Sequence, residues 1–283
     1  MRSIRSFQAM GTTIELLLET DDASAAEAAF DAAEVEFERL EQIMSRFRPD
    51  SELSQLNGRG AIDASQELAE VVTTALEARA STGGRFDPTV HDALVAAGYD
   101  RSFDELPADD DAPATGLPPA CGGGIEIDGR RIVLSPGVRL DLGGIGKGFA
   151  AERVAAQLAL IGPALVSAGG DVAVRGIPAE GTWAVAVDDT LTLGLERGGL
   201  ATSGRDRRRW HRAGLEQHHL IDPTTGLPSR TDLIRVTAIA PDAVQAEVLA
   251  KTLFLGGSSE AIAANRPAVL VTDDGRTLTT GGL

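Results

Sequence analysis

Between Leu140 and Asp171 the chain reads LDLGGIGKGFAAERVAAQLALIGPALVSAGGD, and no other stretch constrains the fold as tightly. Gly143, Gly144, Gly146 and Gly148 crowd its start, and from Phe149 an alanine-rich run carries apolar residues at helical spacing. Ala164-Leu165-Val166 then reads as a short buried strand, closed by Gly169-Gly170-Asp171. Glycine lets a backbone approach what other residues would hold away, so this helix starts hard against something. Two readings stay open. Amides at a glycine-rich helix start suit a phosphate-bearing ligand, or the glycines form a tight turn that packs against another helix.

The flanking segments say what surrounds that helix. Thr12 to Leu18 reads as a strand, and Asp22 or Ser24 caps an amphipathic helix running to Phe47. Its core stripe is Ala26, Phe30, Ala33, Phe37, Leu40 and Met44. Pro49-Asp50-Ser51 breaks the helix, Ser51 starts another, and a further helix covers Gln66 to Ser81. The turn Phe86-Asp87-Pro88-Thr89-Val90 leads to a short helix around Asp92 to Ala97. Strands at Gly124 to Ile127 and Arg131 to Leu134 meet at Asp128-Gly129, a hairpin signal. Thr182 to Val187, Thr190 to Leu195, Gly198 to Gly204 and Leu233 to Ala240 are also β segments. A helix from Ala243 to Leu255 stops at Gly256-Gly257, and Ala268 to Thr272 with Arg276 to Thr280 closes the chain as a β pair. Several of these pairs are joined by hairpin-length turns, not helices. The expectation is therefore an α+β fold with largely antiparallel sheets, not a doubly wound parallel one.

A chain of 283 residues makes one large domain or two intimate subdomains, and 43% hydrophobic residues suffice for a sizeable core. The formal charge of −16 argues against a nucleic-acid surface or adhesion to anionic lipid. Within that acidic background Arg205 to Arg212 (RDRRRWHR) is basic, as either a solvated loop or a phosphate clamp. Asp104 to Pro119 is acidic and proline-rich and reads as a solvated loop. The single cysteine, Cys121, permits no internal disulfide, fits a reducing compartment and reads as structural. No export signal or membrane-length apolar run is visible, so a cytoplasmic protein is expected.

Each motif alone is weak. GGIGKG is neither a Walker loop nor a G-x-G-x-x-G fingerprint. His218-His219-Leu220-Ile221-Asp222-Pro223-Thr224-Thr225-Gly226 is a loop that Pro223 and Gly226 hold in shape, with Asp222 and Thr224 able to bond nearby amides. No Cys-x-x-Cys or His-Glu-x-x-His accompanies its histidines, which argues against zinc. Neither Ser167 nor Ser203 lies in Gly-x-Ser-x-Gly. Asp87, Asp141, Asp171, Asp222 and Glu247 each stand beside Gly, Pro or a helix start, and together they suggest a site.

Taken in order, these segments resemble the FAD:protein FMN transferase family, known as ApbE. The resemblance runs through Met10-Gly11-Thr12, the stretch MSRFRPDSELSQLN from Met44 to Asn57, and Phe86 to Val90. It continues through Leu140 to Gly148, Ser167 to Asp171, Ala201 to Gly204 and His219 to Gly226. It implies two intimately associated subdomains around an FAD cleft, in a T-fold-like architecture. It also implies transfer of the FMN moiety of FAD to a Ser or Thr hydroxyl of an acceptor protein, releasing AMP; some members instead hydrolyse FAD, and a flavin-binding protein without activity is a further alternative. The residues it places at FAD are Met10, Gly11, Phe47 (where a tyrosine is usual), Asn57, Asp87, Gly144, Lys147, Gly169, Gly170, Asp171, Thr202, Ser203, His219 and Asp222. Loop amides and Lys147 would hold phosphate, and His219 and Asp222 would orient or deprotonate the acceptor.

The resemblance also implies a magnesium ion, held by a loop carbonyl that corresponds to Gly146 and by Asp and Thr ligands on the last helix. Here Glu247 takes the aspartate position and Lys251 the threonine position. A protonated lysine cannot ligate a cation. Its ammonium either replaces the metal in part, as a catalytic group, or belongs to a solvated helix face.

Overall fold

The computed structural model describes residues 1–110 and 118–283. Residues 111–117, within the acidic stretch predicted as a loop, lie outside the described residues. Eight strands form one sheet: β1 (Arg2–Ala9), β2 (Thr12–Glu19), β3 (Ala164–Ala168), β4 (Asp171–Arg175), β5 (Gly198–Gly204), β6 (Leu233–Ala240), β7 (Ala268–Thr272) and β8 (Thr277–Thr280). They lie side by side in chain order and every neighbouring pair is antiparallel. The α+β expectation is met.

Two of these strands carry no clear sequence signal. β1 alternates between half-buried and exposed residues, with Ile4 on the exposed side, so its pattern is faint. It is defined instead by pairing with β2 through a two-residue turn. Met10 and Gly11 both have positive φ there (52° and 64°), the turn that matches strand twist. β4 follows β3 through Gly169 and Gly170, again at positive φ.

One face of the sheet is covered by helices. α1 (Ala23–Met44), α5 (Gly146–Leu158) and α6 (Ala243–Ala264) pack against it, and α2 (Glu52–Arg59), α3 (Gln66–Ser81) and α4 (His91–Ala96) are the other α-helices among the described residues. Asp22 caps α1, with Oδ1 accepting from the Ala25 amide at 3.0 Å, and the stripe of Ala26, Phe30, Ala33, Phe37 and Leu40 is fully buried. Each buried Phe or Leu contributes about 1.5–3 kcal/mol. On the other face, Trp183–Ala186 and Thr192–Leu195 form a hairpin whose Trp183, Val185 and Leu195 pack on Leu165, Val172, Val174 and Leu200.

α6 departs from the sequence reading. The chain does not stop at Gly256-Gly257. Gly257 turns to φ 76°, ψ 172°, and a second helical segment restarts behind it. Asp232, at the entry to β6, restarts it by accepting from the Ser258 amide at 2.9 Å. The acidic stretch is also less loop-like than predicted, since Asp109 and Asp110 pair parallel with His211 and Arg212.

Candidate functional site

α5 and α6 cross closely because of two glycines. A Cβ on Gly148 would lie 2.8 Å from the Ala243 carbonyl oxygen and 3.0 Å from Glu247 Oε2; a Cβ on Gly144 would overlap the Lys251 ammonium. The reading of a turn packed against a helix is therefore realised. Four of the loop amides already have protein partners. The Gly143 amide donates to Asp141 Oδ1 (2.8 Å), those of Ile145 and Gly146 to the Leu142 carbonyl (3.1 and 2.8 Å), and that of Gly148 to Glu247 Oε2 (2.9 Å). These four donors bond within the protein, and side chains supply positive charge beside them.

They do. Lys147, one residue into α5, sits between two buried carboxylates, its Nζ 2.6 Å from Asp171 Oδ2 and 2.8 Å from Glu247 Oε1. Burial opposes its charge, but Asp171 and Glu247 outweigh that and raise its pKa. Burial pushes Asp171 up, to about 6, against the pull of Lys147. Lys251 lies one turn beyond Glu247 on α6, its Nζ 5.7 Å from the Phe86 ring centre. Burial lowers its pKa, while Glu247 and Asp141 favour its charge.

Two cavities open beside these lysines. One, about 230 Å³, is lined by Met10, Met44, Phe47, Asp87, Leu94 and Tyr99 among others. The other, about 620 Å³, runs over the sheet past Thr12, Ser167, Gly169, Gly170, Asp171, Thr202, Ser203 and Glu247. Gly143, Lys147, Arg208, His219 and Lys251 line both. The junction is thus cationic. Burial holds His219 well below its ordinary pKa, helped by the nearby charges of Arg208 and Lys251. Its imidazole is neutral, and its buried Nδ1 has no hydrogen-bond partner among the described residues.

An aromatic wall closes the smaller cavity. Phe47, 38% exposed, stands 5.5 Å from Tyr99, which stands 5.5 Å from Trp210. The Arg46 guanidinium lies 4.1 Å from the Phe47 ring centre and 4.7 Å from that of Tyr99, and its Nε pairs with Asp141 Oδ2 at 2.6 Å. Tyr99 carries no motif-level signal, and Arg46, though inside the Met44 to Asn57 stretch, is not among the residues expected at the ligand. Arg208 was hidden in the basic cluster, whose clamp reading suits this one residue, since it reaches the junction and donates to the Gly11 carbonyl at 3.2 Å.

Three of the residues expected at the ligand, Asn57, Asp222 and Gly144, line neither cavity. Asn57 lines neither cavity; its Nδ2 donates to the Leu140 carbonyl (2.9 Å) and its Oδ1 accepts from the Leu140 amide (2.7 Å). Asp222 also lines neither, and Oδ1 accepts from the Thr224 amide (2.9 Å) and hydroxyl (2.6 Å), holding the turn beside His219. Gly144 lies beneath Lys251. Gly146, by contrast, lines the smaller cavity. Cys121 is half-buried, and burial pushes its thiol up to about 11, which makes it a poor nucleophile.

The magnesium set implied by the resemblance fits these residues poorly. Both Glu247 oxygens are engaged, one by the Lys147 ammonium and one by the Gly148 amide. At the second ligand position Lys251 offers only donors.

The ApbE family model matches residues 10–270 of the chain. The FAD:protein FMN transferase of Salmonella typhimurium is 29% identical over 274 residues, covering 89% of this chain and 78% of that protein. The protein of the same name from Haemophilus influenzae is 28% identical over 283 residues, covering 91% and 81%. Among solved structures, the ApbE protein of Thermotoga maritima superposes with a TM-score of 0.86 at 24% identity, covering 99% of this chain and 97% of that one. The flavin transferase ApbE of Vibrio cholerae does so with a TM-score of 0.78 at 24% identity, covering 99% and 97%.

Proposed function

The chain belongs to the ApbE family, and from that premise we propose that it transfers the FMN moiety of FAD to a Ser or Thr hydroxyl of an acceptor protein, releasing AMP. The observation that carries this reading is the junction itself. Lys147, Lys251 and Arg208 stand where two cavities meet, beside a neutral histidine. A diphosphate suits that junction, and the aromatic wall of Phe47 and Tyr99 suits an isoalloxazine ring. In-line displacement at phosphorus needs a nucleophile on one side and a leaving group on the other, and two cavities that share one charged wall supply both approaches.

In the reaction so read, the acceptor hydroxyl oxygen bonds to the FMN phosphorus. The bridging P–O bond breaks, and AMP departs with the bridging oxygen and its electron pair. His219 would take the hydroxyl proton at its Nδ1, unpartnered among the described residues, the negative charge of the diphosphate raising the basicity that burial holds down. Lys147 and Arg208 neutralise charge on the phosphate oxygens, while Asp222 positions the loop and Asn57 positions Asp141 through Leu140.

The test is incubation of the purified protein with FAD and a threonine-bearing acceptor, followed by mass spectrometry. Acceptor carrying covalent FMN, with one AMP released per transfer, is the expected result. Free FMN and AMP without modified acceptor would make it an FAD pyrophosphatase, and intact bound FAD would make it a flavin-binding protein. His219→Ala should lower transfer by about 100-fold or more, the usual scale of lost acid–base catalysis, with FAD binding largely kept.

A further inference from the structure

Two lysines stand where the cavities meet, and they are held differently. Lys147 is locked between Asp171 and Glu247. Lys251 is not; its ammonium rests on the Gly144 backbone, in the space a Cβ would fill, near the face of Phe86. Lys147 and Glu247 neutralise one another, as do Asp141 and Arg46 at 2.6 Å. Counting Lys251, Arg208 and Asp171 as well, four cations face three carboxylates around the junction, which leaves a positive excess before any ligand enters. A dication added there would face two ammonium groups and a guanidinium, and would have to displace Lys147 from Glu247.

We propose that Lys251 is the resident cation for the diphosphate in this protein, and that FAD cleavage here needs no divalent metal. The inference rests on the FAD reading above. On it, the Lys251 ammonium donates to non-bridging phosphate oxygens and offsets the charge that builds there as the acceptor oxygen bonds to phosphorus and AMP leaves. Lys251 itself is unchanged by the step. Gly144 is what makes room for it, so the glycine and the lysine act as one device contributed by two distant segments.

Two readouts on the full-length protein, each after exhaustive chelation and again with added Mg2+, test this: FAD affinity by flavin fluorescence, and FMN transfer to a threonine peptide. Wild type is expected to differ by no more than about twofold between the two conditions, well inside the ~1.4 kcal/mol of a tenfold change. Lys251→Met should lower metal-free affinity and transfer, the latter by about 100-fold or more, the loss typical of a removed transition-state charge partner. Gly144→Ala, which displaces the same ammonium while leaving the lysine in the chain, should lower both as well. The double variant Glu247→Asp, Lys251→Thr should acquire a Mg2+ requirement. A wild-type protein that loses tenfold or more of its FAD affinity on chelation, and regains it with Mg2+, overturns the proposal. Absence of transfer in every condition would count against the transferase reading alone, because metal-free FAD binding and its loss in Lys251→Met still decide the role of Lys251. A chain that binds no FAD at all overturns both.

Discussion

Lys147 shows how a single side chain can hold a site together. It is the shared partner of two carboxylates on different elements, Asp171 at the start of β4 and Glu247 in the first turns of α6. Removing it would strand two buried negative charges, and breaking a buried pair in this way costs about 3–5 kcal/mol. Lys147→Met is therefore expected to lower the urea midpoint markedly. The sign of its pH dependence follows from Asp171, whose folded-state pKa is raised, to about 6. A carboxyl raised in the folded state favours folding below its unfolded value and loses that contribution as pH rises through the folded one. Without Lys147 the folded value climbs further. The variant's deficit should then be largest at about pH 8 and shrink toward about pH 5, where protonation relieves the stranded charge. Equal deficits at the two pH values would argue that Lys147 acts by packing alone.

At the scale of elements, the contact between α5 and α6 decides whether there is a site. Its glycines left two readings open in the sequence, a phosphate loop or a turn packed against a helix, and Gly148 meets the second, with the Ala243 carbonyl and Glu247 close against it. A methyl group there has nowhere to go except by separating the helices. Gly148→Ala should cost about 1–3 kcal/mol, the usual penalty of overpacking, and should also weaken FAD binding, because Glu247 and Lys251 move with α6. Thermal unfolding and flavin titration of the same variant check both. A variant as stable as wild type would mean that α6 yields at little cost. The kink at Gly257 belongs to the same scale. Gly256-Gly257 is a sound stop signal locally, but Asp232 supplies a cap from another part of the chain and lets the helix resume.

For the whole molecule, the sequentially ordered antiparallel sheet is a platform that collects its functional groups from the hairpin ends. The Met10–Gly11 turn, the Gly169–Gly170 turn and the end of β5 all arrive beside the α5–α6 contact. A ligand that bridges the two cavities ties these elements together, so binding should stabilise the fold as a unit. At free FAD about 100 times its Kd, mass action adds ~2.7 kcal/mol, or roughly 5–10 °C in Tm for a protein of this size. Riboflavin, which lacks the diphosphate, should give a much smaller shift at equal concentration. Calorimetry checks both, and equal shifts would place the binding energy in the aromatic cavity instead of the cationic junction.

What the sequence determined by itself was everything encoded at short range. The amphipathic stripe of α1, the capping Asp22, the hairpin at Asp128-Gly129, the antiparallel preference and the ordered motifs of the family were all legible, because helical and strand periods and turn chemistry are local properties. β1 and β4 were not, since a strand with a weak alternation is defined by the neighbour it pairs with. The roles within the site were legible only in part. Asn57, Asp222 and the loop amides looked like ligand groups, and tertiary structure turned them to holding Leu140, the turn beside His219 and the α5 start. Tyr99 entered the site from a segment with no motif to mark it, while Arg46 and Arg208 lay within a family stretch and a basic cluster that did not single them out. Lys147 and Glu247 are a hundred positions apart, and nothing in the residues between them encodes their meeting. That pairing, and the lysine laid across Gly144, come from the close crossing of two helices on one sheet, which sets Lys147 between two carboxylates and Lys251 against a glycine.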